Sequence, residues 1–168
     1  MKILLAVDGS SFSDAAVAEI AGRPWPVGSE IKVLSVFEFP VPPTPEAWSI
    51  PPEYYEEVTN SARSNARAIV ESAIVLLKQA LGTSIGVDGE YVQGSPRNVI
   101  LDEAEKWGAD LIVMGSHGYS AWERFLLGSV SRAVLAHAKC SVEVVRGEAA
   151  STRNLDHSPN SGIAAARN

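Results

Sequence analysis

Residues 2–22 read KILLAVDGSSFSDAAVAEIAG, and their reading decides the fold. From Lys2 to Val7 almost every position is apolar, the mark of a strand buried on both faces, and Asp8-Gly9-Ser10 closes it with a turn. Ser11, with Asp14 three positions later, reads as a capping box that opens a helix; Ala15, Ala16, Ala18 and Ile20 continue it until Gly22 and Pro24. The rest of the chain repeats this alternation. Strands are predicted at 31–39 (IKVLSVFEF), 84–93 (SIGVDGEYVQ, weakened by Gly86 and Gly89), 109–115 (ADLIVMG) and 141–146 (SVEVVR). Helices are predicted from Tyr54 to Gly82, from Ser95-Pro96 to Gly108, and from Gly128-Ser129 through His137. Parallel strands need a crossover, and the crossover is usually a helix, so the pattern predicts an α/β, three-layer open sandwich. Its five-stranded parallel sheet carries helices on both faces.

Two segments stand outside this pattern. Residues 40–52 hold six prolines, which remove backbone donors and fix φ, so a loop is expected there. Residues 147–168 are polar, small and without period, and read as a flexible C-terminal tail. What remains, residues 1–146, has the size of one domain. The chain of 168 residues carries 14 Lys and Arg against 20 Asp and Glu, a net charge of -6, so no broad cationic face offers itself to nucleic acid or anionic lipid. Asp8 interrupts the first apolar run before it reaches signal-peptide length, and no stretch approaches a membrane span. The lone Cys140 allows neither an intramolecular disulfide nor a cysteine zinc cluster. A cytoplasmic location is expected.

In an open parallel sheet ligands bind beyond the carboxyl ends of the strands, which directs attention to the turns after the first and fourth strands. The fourth ends in Gly115-Ser116-His117-Gly118, nine residues intervene, and Gly128-Ser129 opens a helix that carries Ser131. Glycines let backbone amides approach a ligand, and a helix amino end supplies unpaired donors with positive partial charge, a combination that suits a polyphosphate. Glycines so placed also serve as turn and packing devices, and the spacing leaves both readings open.

Three stretches, KILLAVDGS, GSPRNVILDEA and ADLIVMGSHGYSAWERFLLGSVSRAVLAHAKCSVEVV, together resemble the universal stress protein family over most of residues 1–146. Gly115, Gly118, Gly128 and Ser129 match that family's G-x2-G-x9-G-(S/T) signature, which marks members that bind ATP. The resemblance implies sheet order 3-2-1-4-5 in an adenine-nucleotide alpha-hydrolase-like fold, and a homodimer through the last strand, Ser141 to Arg146. It further implies a nucleotide site at Asp8, Val36, Met114, Gly115, His117, Gly118, Gly128, Ser129, Val130 and Ser131. In that site Asp8 stands at the ribose or adenine end, the Val36 backbone meets adenine, and residues 115–118 and 128–131 surround the phosphates.

Each of these residues has a plainer role beside the functional one. Asp8 can cap the first turn, Ser129 and Ser131 can cap their helix, and Val36 can be an ordinary sheet residue. His117 has no partner carboxylate or nucleophile in sequence reach, and Glu123 and Arg124 are expected to be exposed loop charges. Cys140 reads as a small buried residue. No catalytic residue is assigned, because phosphoryl transfer needs a positioned nucleophile and the chain lacks a G-x4-G-K-(S/T) loop. No lysine lies between Gly115 and Ser129, so Mg or Mn is expected to accompany the phosphates. The expected function is an ATP-binding regulatory module of the stress response. The rivals are an enzyme of slow ATP hydrolysis or adenylyl transfer, and a nucleotide-free dimeric scaffold. The open edge of the last strand independently invites pairing with a second copy.

Overall fold

The computed structural model describes residues 1–38, 51–118 and 127–147. The expectations for the proline-rich loop up to residue 50, for Glu123 and Arg124 and for the tail beyond residue 147 lie outside the described residues. Strand and helix alternate as β1 (Lys2–Val7), α1 (Ser11–Gly22), β2 (Glu30–Phe37), α2 (Pro52–Leu81), β3 (Gly86–Gln93), α3 (Pro96–Trp107), β4 (Leu111–Gly115), α4 (Ser129–His137) and β5 (Ser141–Val145). All strand pairs are parallel, and the sheet order is β3-β2-β1-β4-β5.

Side chains alternate across a strand, so the sheet divides the core in two. Ile3, Leu5 and Val7 of β1 join Val113 of β4 and Ile20 of α1 on the α1/α2 face, where Leu77 of α2 is fully buried. Leu4 and Ala6 point the other way, with Leu34, Ile112 and Met114, to meet Ile100 and Ala104 of α3 and Val134 of α4. β1 from Ile3 onward and all of β4 are buried because helices cover both faces, which is why they read as apolar runs.

Several boundaries differ from the sequence reading for identifiable reasons. The cap of α1 is Ser10, whose side chain accepts from the Ser13 amide at 3.3 Å, and Ser11 is the first helical residue. The capping device therefore sits one residue earlier than the Ser11/Asp14 pairing. Pro52 opens α2 at a position where a missing N–H costs nothing, so the helix starts inside the segment expected to be loop. Ala109 donates its amide to Ala104 O at 2.9 Å behind the left-handed Gly108, closing α3 rather than starting β4. Gly89 does not disrupt β3, whose register with β2 is continuous from Gly86 to Gln93. A Cβ there would lie 2.7 Å from Val70 Cγ1 and 2.8 Å from the Val33 carbonyl, so glycine lets α2 lie close on the sheet.

Candidate functional site

Because all five strands are parallel, their carboxyl ends share one edge of the sheet, and the turns after β1 and β4 lie side by side. Between them, and over the end of β2, opens a cleft of about 420 Å³, within the roughly 300–1,000 Å³ usual for small-molecule sites. Asp8, Val36, Met114, Gly115, His117, Gly118, Gly128, Ser129, Val130 and Ser131 all line it. Apolar residues that the sequence reading did not single out, Ala6, Leu34, Ile100 and Pro96, form its floor and one wall.

Ser116, buried to 3% exposure, ties the two halves of the glycine-rich stretch together. Its amide donates to Val145 O of β5 at 2.8 Å, and its carbonyl accepts from the Gly128 amide at 2.9 Å and from Ser131 Oγ at 3.0 Å. The Gly128 amide is thus consumed inside the protein. Ser131 Oγ lies equally close to Gly128 O, at 3.0 Å, so its single proton serves one of two internal carbonyls and does not face the cleft. Neither serine caps α4: the N-cap is Gly128, and no side chain bonds the first turn. The amides of Ser129, Val130 and Ser131, the first three of the helix, have no intrahelical partner and sit at the cleft with the positive end of the α4 dipole.

The glycines divide by what surrounds them. A Cβ on Gly115 would lie 2.7 Å from the Phe12 carbonyl carbon, so this glycine admits α1 against β4 and is a packing residue. Among the described residues a Cβ on Gly118 would meet only the Asp8 carboxylate, 2.7 Å from Oδ2. On Gly128 it would come within 3.3 Å of Ser116 O and 3.4 Å of His117 Cα, crowding the junction between the two halves. The His117 ring packs against Phe12 with centroids 5.2 Å apart, and its Nδ1 is 3.2 Å from Ser116 Oγ. No carboxylate among the described residues hydrogen-bonds to it.

At Asp8 the two carboxylate oxygens differ. Oδ1 accepts from the Ser10 amide at 3.0 Å and from Ser10 Oγ at 2.6 Å, while Oδ2 turns toward Gly118. Cys140 is half-buried in the second core, and burial pushes its thiol up, away from the reactive thiolate. The main cluster of titratable groups lies elsewhere, on the α3 face of the sheet. There Lys32 Nζ sits 2.6 Å from Glu103, 3.6 Å from Glu90 and 4.9 Å from the centre of the Trp107 ring. None of those residues reaches the cleft.

The family model described as "Universal stress protein family" matches residues 1–146. The universal stress protein YxiE of Bacillus subtilis is 30% identical over 148 residues, covering 86% of this chain and 98% of its own length. Among solved structures, the hypothetical protein MJ0577 superposes with a TM-score of 0.73 at 28% identity, over 86% of this chain and 94% of that one. The Arabidopsis thaliana universal stress protein family protein At3g01520, solved with AMP bound, shares the fold with a TM-score of 0.62 at 21% identity, covering 96% of this chain and 97% of its own. Sheet order, glycine-bounded cleft and sequence match all fall on the same stretch, and the chain belongs to the universal stress protein family.

Proposed function

We propose that the cleft binds ATP, or a closely related adenine nucleotide, with Mg or Mn carried on the phosphates. The protein then acts as a nucleotide-dependent regulatory module of a stress response, a cytoplasmic homodimer paired through β5. One observation carries the reading: three residues at the start of α4 whose amides have no partner among the described residues line the same cleft as Gly118 and Asp8. Amides at a positive helix end suit phosphate. An ionised carboxylate repels phosphate and accepts from hydroxyl or amino groups, so Asp8 marks the opposite, nucleoside end. The apolar patch of Ala6, Leu34, Val36, Met114 and Ile100 suits a flat base.

Magnitudes show that both ends are needed. Three charge-assisted bonds at ~1.5–3 kcal/mol each are opposed by an association cost of at least ~4 kcal/mol, which leaves ~5 kcal/mol and a Kd of a few tenths millimolar at best. Burial of about 150 Å² of apolar surface at ~25 cal/mol per Å² adds about 4 kcal/mol and brings micromolar affinity within reach. The Arabidopsis protein of the same fold holds AMP, which makes adenine nucleotides the first ligands to test. Among the described residues no group of three or more His, Cys, Asp or Glu is placed to hold a metal ion. A divalent ion would therefore arrive as part of the nucleotide complex, with phosphate oxygens as its main ligands.

Mass spectrometry of ligand released from the purified protein tests the reading. Co-purified ATP or ADP is expected. Protein that emerges empty, and stays empty after incubation with millimolar ATP and Mg, would contradict it and favour a scaffold whose glycines only shape turns.

A further inference from the structure

Resting on the nucleotide reading above, we infer that Ser10 is a positioning residue for the ligand: it clamps Asp8 so that one carboxylate oxygen alone faces the cleft. Ser10 is 8% exposed and reaches the cleft only through other residues. Its hydroxyl has one proton, which goes to Asp8 Oδ1 at 2.6 Å, and its backbone amide donates to the same oxygen at 3.0 Å. The lone pairs of that hydroxyl meanwhile accept from the Ser13 amide at 3.3 Å, so the group that orients Asp8 is the group that caps α1. Ser10 is itself held. Its carbonyl accepts from the Asp14 amide at 3.0 Å and from Ser13 Oγ at 2.9 Å, and Ser13 Oγ in turn accepts from the Gly9 amide at 3.1 Å.

The consequence is a carboxylate whose two oxygens are not interchangeable. An unclamped aspartate rotates about χ2 and presents either oxygen. Here Oδ1 is filled by two donors, and Oδ2 accepts no hydrogen bond among the described residues and abuts Gly118. Gly118 lacks the Cβ that would stand 2.7 Å from that oxygen. The site therefore offers one carboxylate oxygen, to a sugar hydroxyl or an amino group, at a fixed point relative to the α4 amides. The conformational cost of fixing the acceptor is met when the protein folds rather than when the ligand binds.

Positioning and capping can be separated, because glycine is a tolerable N-cap but has no hydroxyl. ATP affinity is measured by calorimetry with Mg for the wild type, Ser10→Gly, Ser10→Thr, Asp8→Asn and the Asp8→Asn/Ser10→Gly pair, with helicity checked by circular dichroism. Ser10→Gly is expected to weaken binding about fivefold or more, and Ser10→Thr, which keeps the hydroxyl, to restore it to within about twofold. On the Asp8→Asn background Ser10→Gly is expected to change affinity by less than about twofold, the non-additivity of residues acting through one another. If Ser10→Gly does not fold, Ser10→Asn, an equal cap with its donor one atom farther out, takes its place. Wild-type affinity in a folded Ser10→Gly protein, or full additivity with Asp8→Asn, would overturn the inference and leave the nucleotide reading standing. A wild type that binds no adenine nucleotide would overturn both.

Discussion

The Gly128 amide donates to the Ser116 carbonyl at 2.9 Å, so two residues twelve positions apart in sequence meet in one hydrogen bond. Ser116 is simultaneously fixed to β5 through Val145 O, which makes the entry to α4 an extension of the sheet rather than a free loop. The amides of Ser129, Val130 and Ser131, without a partner among the described residues, inherit their placement from this junction.

Removing the second bond to Ser116 tests that junction. Ser131 is 2% exposed, and its hydroxyl donates to the Ser116 or the Gly128 carbonyl. Ser131→Ala is expected to cost about 1–2 kcal/mol of stability in urea denaturation, since the Gly128 amide still satisfies Ser116 O. ATP affinity should fall by less than about threefold, because the Ser131 hydroxyl proton is engaged by internal carbonyls.

Two glycines of one motif are expected to respond in opposite ways. Alanine at Gly115 places its Cβ 2.7 Å from Phe12 backbone, which cannot give way without moving α1, so Gly115→Ala should lose about 1–3 kcal/mol of stability. Alanine at Gly118 meets only the end of a side chain, Asp8 Oδ2. Gly118→Ala should unfold within about 1 kcal/mol of the wild type yet bind ATP about tenfold more weakly, as the displaced carboxylate loses its place. Denaturation curves and titrations on the same preparations distinguish the two effects.

A pH dependence follows from the α3 face. Burial, then the hydrogen bond and charge of Glu103, hold the Glu90 carboxyl above its ordinary value of 4.5, with Lys32 opposing. Burial also acts on Glu103, but the hydrogen bonds of Lys32 and Glu90 and the charges of Lys32 and Lys106 outweigh it and bring that carboxyl below 4.5. A raised carboxyl stabilises the fold below its unfolded pKa, and the contribution is lost as pH rises through the folded value. At neutral pH, then, ionised Glu90 is a burden that glutamine would lift. Its side chain is 41% exposed, so screening limits the gain of Glu90→Gln at pH 7–8 to under about 1 kcal/mol. Thermal unfolding of both proteins should show that gain vanish near pH 4, where Glu90 of the wild type is protonated as well.

The open edge of β5 supports a prediction about assembly. β5 pairs with β4 alone among the described strands. Light scattering at micromolar concentration is expected to give the mass of two chains. A single-chain mass would remove the proposed pairing without touching the nucleotide site.

Sequence periodicity conveyed most of the architecture because β1 and β4 are covered on both faces, so their apolar runs have one reading. The ten residues proposed for the nucleotide meet in one cleft because the parallel order brings the ends of β1, β2 and β4 together, an order that the family resemblance implies and local pattern alone does not. Ala6, Leu34 and Ile100 escaped notice since an apolar side chain that floors a cleft has the same sequence signature as one deep in the core. Ser116 was legible as part of the motif, but its role depends on a bond to Val145, 29 positions away. Lys32 and Glu103 lie 71 positions apart, and no spacing rule pairs them. The sequence reading places the cap at Ser11 because Ser10-Ser11 offers two adjacent candidates, and only the bond from the Ser13 amide to Ser10 Oγ decides between them.

Amide chemical shifts report the central claim most directly. In a 15N-labelled sample titrated with ATP and Mg, the account predicts saturable shifts at Gly118, Ser129, Val130 and Ser131, and little change at Gly128, whose amide is already bonded to Ser116. Unmoved resonances at Ser129, Val130 and Ser131 with millimolar nucleotide present, or shifts confined to another face of the sheet, would contradict it.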